Sequence, residues 1–211
     1  MVPRETSVEP EPPVAAELFG DRLELARSYA ADLGNRGEEL GLIGPLELPR
    51  LWTRHVVNSA LLAPLLTGSV ADVGSGAGLP GIPLAIARPD VRLVLIEPME
   101  RRVAWLEEQR DRLGLSNVEV VRARAEEAPY PRAFDQVTAR AVGALSKLIP
   151  LTARLVRPGG ELLLLKGAAV QDEARKAEKV IAKWRLSNVR VDELGTGMAT
   201  EGTRVFRATV S

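Results

Sequence analysis

The stretch Val70-Ala71-Asp72-Val73-Gly74-Ser75-Gly76-Ala77-Gly78-Leu79-Pro80-Gly81-Ile82-Pro83-Leu84 decides how this chain folds. Its first four residues are an apolar run interrupted only by Asp72, the pattern of a buried strand. Three glycines at every second position then make a turn, and Gly81 to Ala87 reads as the following helix. Pro83 is tolerated near that helix's start because first-turn amides have no intrahelical acceptor. Strand, glycine turn and helix N-terminus in this order form the place where doubly wound sheets meet their ligands.

Downstream, short apolar runs alternate with helix-like stretches. Residues 91–96, 118–121, 134–139 and 161–165 read as strands. Helices are expected over 101–113, closed by Gly114, and over 145–156, ended by Pro158-Gly159-Gly160. This alternation predicts a parallel sheet covered by helices. Residues 169–184 read as a surface helix whose charges form a solvated face, and 189–191 and 204–210 as closing strands.

Upstream, Leu18, Leu25, Tyr29 and Leu33 recur at helical spacing and predict a helix from Ala15 to about Leu33. Gly34, Gly37, Gly41, Gly44 and Pro45 break it, and a second helix is expected from Leu48 to Leu66. Residues 1–14 are rich in proline and glutamate and read as a disordered tail. The expected organisation is therefore a tail over 1–14, a helical extension over 15–67 and an α/β domain over 68–211.

Composition narrows the function classes. There is no cysteine, which excludes disulfides, thiolate chemistry and cysteine metal sites. No apolar run approaches the roughly 20 residues that span a bilayer, so a soluble, cytoplasmic protein without a membrane partner is expected. The 28 basic and 28 acidic residues balance, and the whole-molecule field gives no sign of a nucleic-acid partner. The acidity sits in the first 50 residues, with 10 Asp and Glu against 5 Lys and Arg, so the remainder is mildly basic. Arginine outnumbers lysine 23 to 5; its planar fork suits phosphate, but a GC-rich genome gives the same ratio.

Three features select a ligand for the glycine turn. A triphosphate-binding loop needs Lys followed by Ser or Thr after its last glycine, and Leu79-Pro80 stands there instead. A dinucleotide would bring its pyrophosphate close to the Asp72 carboxylate, an unfavourable pairing. S-adenosylmethionine has no phosphate and carries a cationic amino group and sulfonium, which an acidic Asp72 favours. Amides of Gly74, Ser75, Gly76 and Gly78 can meet its carboxylate, and Glu97, directly after the second strand, can accept from both ribose hydroxyls. Arg124-Ala125-Glu126-Glu127 follows the third strand, and its backbone and carboxylates are candidates for the adenine amine. Other glycine spacings, completed by Gly81, leave a nicotinamide-dependent oxidoreductase as an alternative, separable by whether S-adenosylhomocysteine or NADH raises the melting temperature.

The chain resembles the bacterial 16S ribosomal RNA guanine-N7 methyltransferases of the RsmG (GidB) type. The matching pieces are Arg54-His55 with Asn58-Ser59, the block from Asp72 to Leu84, Arg101-Arg102-Val103 with Leu106, Arg124 to Glu127, Arg140-Ala141 and Leu165-Lys166-Gly167. The resemblance implies a class I S-adenosylmethionine-dependent methyltransferase with a Rossmann-like seven-stranded sheet, acting on one guanine in the decoding-region loop of small-subunit rRNA. It also implies cofactor contacts at Gly74, Leu79, Ala125, Glu126 and Arg140. The chain departs from the family pattern over Asn35 to Arg50 and at Asn58, where aspartate is usual; the cofactor site is expected to be untouched by either change.

Guanine N7 has an in-plane lone pair and no hydrogen to remove, so attack on a sulfonium methyl needs no general base and catalysis can be mostly positioning. His55, the only histidine, reads as a structural residue of the second helix. Arg124, Arg140 and Lys166 all follow strands at the ligand-binding edge; as cations they do not assist the transfer of positive charge from sulfur to guanine. They are expected to hold RNA phosphates or donate to guanine O6, the other reading being salt bridges with neighbours such as Glu126 or Asp135. No metal site is expected, and the protein is expected to act as a monomer on 16S rRNA or the small subunit. A small-molecule methyltransferase and a catalytically inactive RNA-binding module are the other readings.

Overall fold

Seven strands form one sheet in the order β3-β2-β1-β4-β5-β7-β6. They are β1 (Ser69–Val73), β2 (Arg92–Glu97), β3 (Val118–Arg122), β4 (Phe134–Arg140), β5 (Val156–Lys166), β6 (Ser187–Leu194) and β7 (Thr203–Thr209). The computed structural model describes residues 8–140, 143–198 and 200–211. Residues 1–7 of the expected tail, and Ala141 of the Arg140-Ala141 pair, lie outside them.

The first five strands are parallel, as expected, whereas β7 is antiparallel to both β5 and β6. The regular β-α-β alternation therefore stops at β6. The physical reason is length: only residues 195–202 separate β6 from β7, and a parallel crossover needs a dozen or more. β5 also begins at Val156, five positions before its expected start, carrying Pro158-Gly159-Gly160 within it at a register shift opposite Phe134 to Gln136.

Both faces are buried along the central strands, whereas the edge strand β6 is largely exposed, and the period-2 alternation assigns each side chain its face. Val70, Leu93, Leu95, Leu163 and Val205 join one apolar cluster; Ala71, Val73, Val94, Ile96, Leu164 and Phe206 join the other. The first face is covered by α1 (Val14–Phe19), α2 (Leu23–Arg36), α4 (Gly81–Ala87) and α5 (Glu100–Arg112), together with the helical turns before the sheet. The second is covered by α6 (Leu145–Ala153), α7 (Val170–Lys176) and α8 (Glu178–Lys183). Leu33, Leu51, Val56 and Leu62 of the expected helical extension share one core with Ile82, Leu95 and Trp105.

The N-terminal helices differ from expectation where glycine and proline act. Gly20, at φ +50°, separates α1 from α2. The expected helix over Leu48 to Leu66 is a series of short turns: a 3-10 stretch Pro45–Arg50, a π-helical segment Leu51–Val57, α3 (Asn58–Ala60) and a 3-10 turn Ala63–Leu65. Pro45, Pro49 and Pro64 each lack an amide donor, which prevents one continuous α-helix. The expected surface helix over 169–184 is likewise divided at Ala177 into α7 and α8. Within the tail, Glu9 pairs its amide with the Leu48 carbonyl and its carboxylate with the Thr53 amide, and Glu11 pairs with Arg27. Residues 8–13 are thus packed on the helices and are not a free tail.

One contact ties these helices to the glycine turn. The Ala77 carbonyl accepts from Tyr29 Oη at 3.0 Å and from Trp105 Nε1 at 2.8 Å, both buried. Tyr29→Phe and Trp105→Phe each leave that carbonyl one donor, so each is expected to reduce stability by about 1 kcal/mol. The double variant orphans a buried acceptor and is expected to lose more than the sum, as measured by urea unfolding midpoints.

Candidate active site

The chain reverses its strand order between β1 and β4, and the carboxyl ends of the parallel strands open there into two adjoining clefts. The first, about 530 Å³, is floored by Gly74, Ser75, Gly76 and Ala77, with Leu79 and Glu97 beside them. Gly74, Gly76 and Gly78 have φ of +72°, +56° and +100°, a backbone region open to glycine without strain. A side chain at Gly78 would also approach Ile82 Cγ1 to 2.6 Å, whereas a Cβ at Gly76 would meet only the Gly74 carbonyl oxygen, at an ordinary contact distance of 3.8 Å. The turn therefore bends tightly under the cleft and leaves its backbone accessible from above.

Glu97, at the end of β2, accepts from the Gly76 amide at 2.9 Å and from the Met99 amide at 3.0 Å. It fixes the turn and lines the cleft together. Asp72 lies elsewhere than expected: it is fully buried beneath the turn and is not part of the cleft wall. Its Oδ2 accepts from the Gly81 amide at 3.1 Å, and its Oδ1 has no protein partner among the described residues. Burial pushes its carboxyl up to about 7, opposed by the neighbouring Ser75 hydroxyl, which donates to the Asp72 main-chain carbonyl at 2.9 Å, and by the Gly81 amide, and reinforced by Glu97. The Asp72–Gly81 bond requires close approach: a Cβ at Gly81 would stand 2.2 Å from Leu95 Cδ2 and 2.7 Å from Asp72 Oδ2. Gly81→Ala is thus expected to reduce stability by about 1–3 kcal/mol through overpacking, as measured by chemical denaturation.

The remaining wall corrects a second expectation. Leu42, Ile43, Gly44 and Glu47 line the same cleft, so the divergent segment Asn35 to Arg50 helps build the site that was expected to be untouched by it. Arg124, Ala125 and Glu126 line neither cleft. Ala125 is buried, Arg124 and Glu126 are exposed, and the Ala125 and Glu126 carbonyls accept from Arg154.

The second cleft, about 520 Å³, lies on the β5 side and is lined by Arg54, Asn58, Lys166, Glu173, Glu201 and Arg204, among others. Among the described residues three line both clefts: Glu47, His55 and Arg140. Arg140 ends β4, and its guanidinium donates to the His55 carbonyl at 3.3 Å, to Ser59 Oγ at 3.1 Å and to His55 Nδ1. His55 Nε2 is 2.7 Å from Glu47 Oε2. Burial first, then the Arg140 charge, hold His55 down to about 4 against the opposing pull of Glu47. Burial also draws Arg140 below its ordinary range. Lys166 Nζ contacts Glu173 Oε2 and the Gly143 carbonyl, each at 2.7 Å.

Of the three cations expected to act together, Arg140 and Lys166 meet at the second cleft and Arg124 stands apart. Neither Arg140 nor Lys166 pairs with Glu126 or Asp135. His55 was expected to be structural, yet it stands at the junction of the clefts. Helical periodicity could not find it, because the π-helical segment carrying it departs from the 3.6-residue repeat; the Arg54-His55 pair of the family pattern was the only signal.

A parallel five-stranded core extended by an antiparallel hairpin, with a glycine-turn cleft at its switch point, defines a class I methyltransferase. Solved structures share this fold: a SAM-dependent methyltransferase from Aquifex aeolicus is 20% identical, with 95% of each chain covered and a TM-score of 0.52. The TYW2 protein of P. horikoshii, solved with MeSAdo, is 12% identical with a TM-score of 0.60 over 74% of this chain and 62% of that one. The GidB family, described as rRNA small subunit methyltransferase G, matches residues 22–201. Ribosomal RNA small subunit methyltransferase G of Clavibacter sepedonicus is 63% identical over the whole of both chains, and that of Paenarthrobacter aurescens 51% identical over 93% of this chain and 92% of its own. The chain belongs to this family and is a methyltransferase.

The residues present fit the S-adenosylmethionine cofactor of this class. The backbone at Gly76 is uncrowded and lines the cleft, Glu97 stands on the cleft wall, and the buried Asp72 Oδ1 supplies an uncompensated acceptor below.

Proposed function

We propose that the chain transfers a methyl group from S-adenosylmethionine to N7 of a single guanine in the 16S rRNA of the small ribosomal subunit. The observation that carries this reading is the pair of clefts meeting at Arg140: one fitted to the cofactor, the other rimmed by Arg54, Arg140, Lys166 and Arg204. Gly74, Ser75, Gly76, Gly78, Leu79 and Glu97 hold the cofactor, with Asp72 acting from beneath the turn through its charge. When bound, the cofactor supplies an electrophilic methyl group.

Guanine N7 carries its own lone pair, so no residue of the chain has to remove a proton. The chain's task is orientation, which can lower a barrier by several kcal/mol. Arg140 donates toward the guanine from the junction, and Lys166, held by Glu173, lies on the far side of the acceptor cleft. Half-exposed Arg54, which lines the acceptor cleft, suits RNA phosphates, a feature a small-molecule enzyme would not need. Arg124, Ala125 and Glu126 keep a role only if the bound adenine reaches beyond the cleft wall. Among the described residues no helix is long and apolar enough to cross a membrane, and a cytoplasmic monomer is part of the proposal.

The test is incubation with labelled S-adenosylmethionine and small subunits lacking the modification, followed by mapping of the methylated base. Label at guanine N7 of one position is the expected result. Label on another atom, or none on rRNA, refutes the assignment.

A further inference from the structure

Glu47 does not belong to the glycine turn or to any strand end. It comes from the divergent 3-10 stretch Pro45–Arg50, yet its carboxylate collects three partners: Arg50 Nη2 at 2.8 Å, His55 Nε2 at 2.7 Å and Arg54 Nε at 3.4 Å. Beyond His55, the Nδ1 atom receives Arg140. A guanidinium has no acceptor capacity, so Nδ1 must offer a lone pair, and the imidazole proton must then sit on Nε2, facing Glu47. The three side chains form a directional chain in which a carboxylate fixes a tautomer and the tautomer fixes an arginine, the same logic by which an outer carboxylate orients a histidine at a metal centre.

We infer that Glu47 and His55 are positioning residues of the methyl transfer, acting through the Arg140 guanidinium to hold its fork at the junction of the two clefts. This inference rests on the proposed function for its catalytic consequence, although the hydrogen-bond chain itself is independent of it. Arg140 has the Ser59 hydroxyl and the His55 carbonyl on the same side. Without the Nδ1 acceptor its fork is free to rotate about those two bonds. Misplacement of an orienting group by about 1 Å can reduce turnover on the order of 100-fold.

Two substitutions separate positioning from packing. His55→Leu keeps apolar volume and removes both bonds; His55→Asn places its Oδ1 close to where Nδ1 stands and can still accept from Arg140. With small subunits as substrate, the positioning role predicts that kcat falls on the order of 100-fold in His55→Leu and recovers to within about tenfold of wild type in His55→Asn. KM for S-adenosylmethionine is expected to stay nearly constant in both. A packing role predicts the reverse order, with the leucine variant at least as active as the asparagine one, and that order overturns the inference. Glu47→Ala, on a surface stretch, supplies the same test if a His55 variant fails to fold: unchanged kcat overturns the role of Glu47.

A second readout does not depend on activity. His55 is the only histidine, so the imidazole nitrogen resonances of the tag-free protein report one residue. The expected spectrum is a neutral ring protonated on Nε2, taking up its second proton only as pH approaches about 4, with Glu47→Gln shifting the tautomer balance. A ring protonated on Nδ1, or one titrating near its ordinary value beside Glu47, Arg54 and Arg140, overturns the inference even if rRNA is methylated. If the spectrum is as expected and wild-type protein leaves rRNA unmethylated, the proposed function fails while the chain of bonds stands.

Discussion

Replacing Arg140 by alanine is expected to reduce methyl transfer to small subunits by about 100-fold or more. Among the described residues the guanidinium is the one cation that lines both clefts, so its loss removes the donor between cofactor and acceptor and leaves His55 Nδ1 without its partner. Arginine at such a site is not replaceable by a point charge, because the planar fork serves Ser59, the His55 carbonyl and Nδ1 at once. Lys166→Ala is expected to share the loss, since Nζ is held in the acceptor cleft by Glu173 and Gly143. Steady-state kinetics on small subunits, with S-adenosylhomocysteine affinity measured separately by calorimetry, checks both. Unimpaired turnover in the two variants would sink the positioning mechanism.

Asp72→Asn is expected to make the protein more stable at pH 8 and worse at binding its cofactor. The folded-state carboxyl titrates at about 7, against an ordinary 3.8. Between those values the folded chain keeps a proton that the unfolded chain has released, so stability falls as pH rises from about 4 to 7. The full shift corresponds to a penalty of about 4 kcal/mol above pH 7. A neutral asparagine has no such dependence, although its buried amide lacks a partner at the Oδ1 position, at a cost of about 1–3 kcal/mol. The stability difference between variant and wild type should therefore grow steadily across that window, as measured by urea unfolding at several pH values. A difference that stays flat would mean that Asp72 titrates like an exposed carboxyl. The expected loss of S-adenosylhomocysteine affinity has the opposite origin: the ligand's ammonium offsets the buried charge that destabilises the free protein. Stability and binding are then exchanged at one carboxylate.

The sequence by itself determined the α/β alternation, because the apolar runs of β1, β2, β4 and β5 and the helices between them are local patterns with periods of 2 and 3.6 residues. It also determined the glycine turn, since Gly74, Gly76 and Gly78 occupy positive-φ positions that follow from residue type, and it placed Glu97, Arg140 and Lys166 at strand ends that open onto the clefts. Only the tertiary structure decided what those residues touch. Asp72 alternates inward on β1 and lies beneath the turn because α4 packs over it through Gly81, a contact set by three-dimensional packing. Leu42, Ile43 and Glu47 reach the cofactor cleft from a segment with no periodicity, brought there by the shared core that joins the N-terminal helices to the sheet. His55 meets Arg140, 85 residues away in sequence, because a π-helical segment turns it toward the end of β4. Residue type and spacing fix local conformation, whereas hydrogen bonds between distant segments exist only after the core has closed.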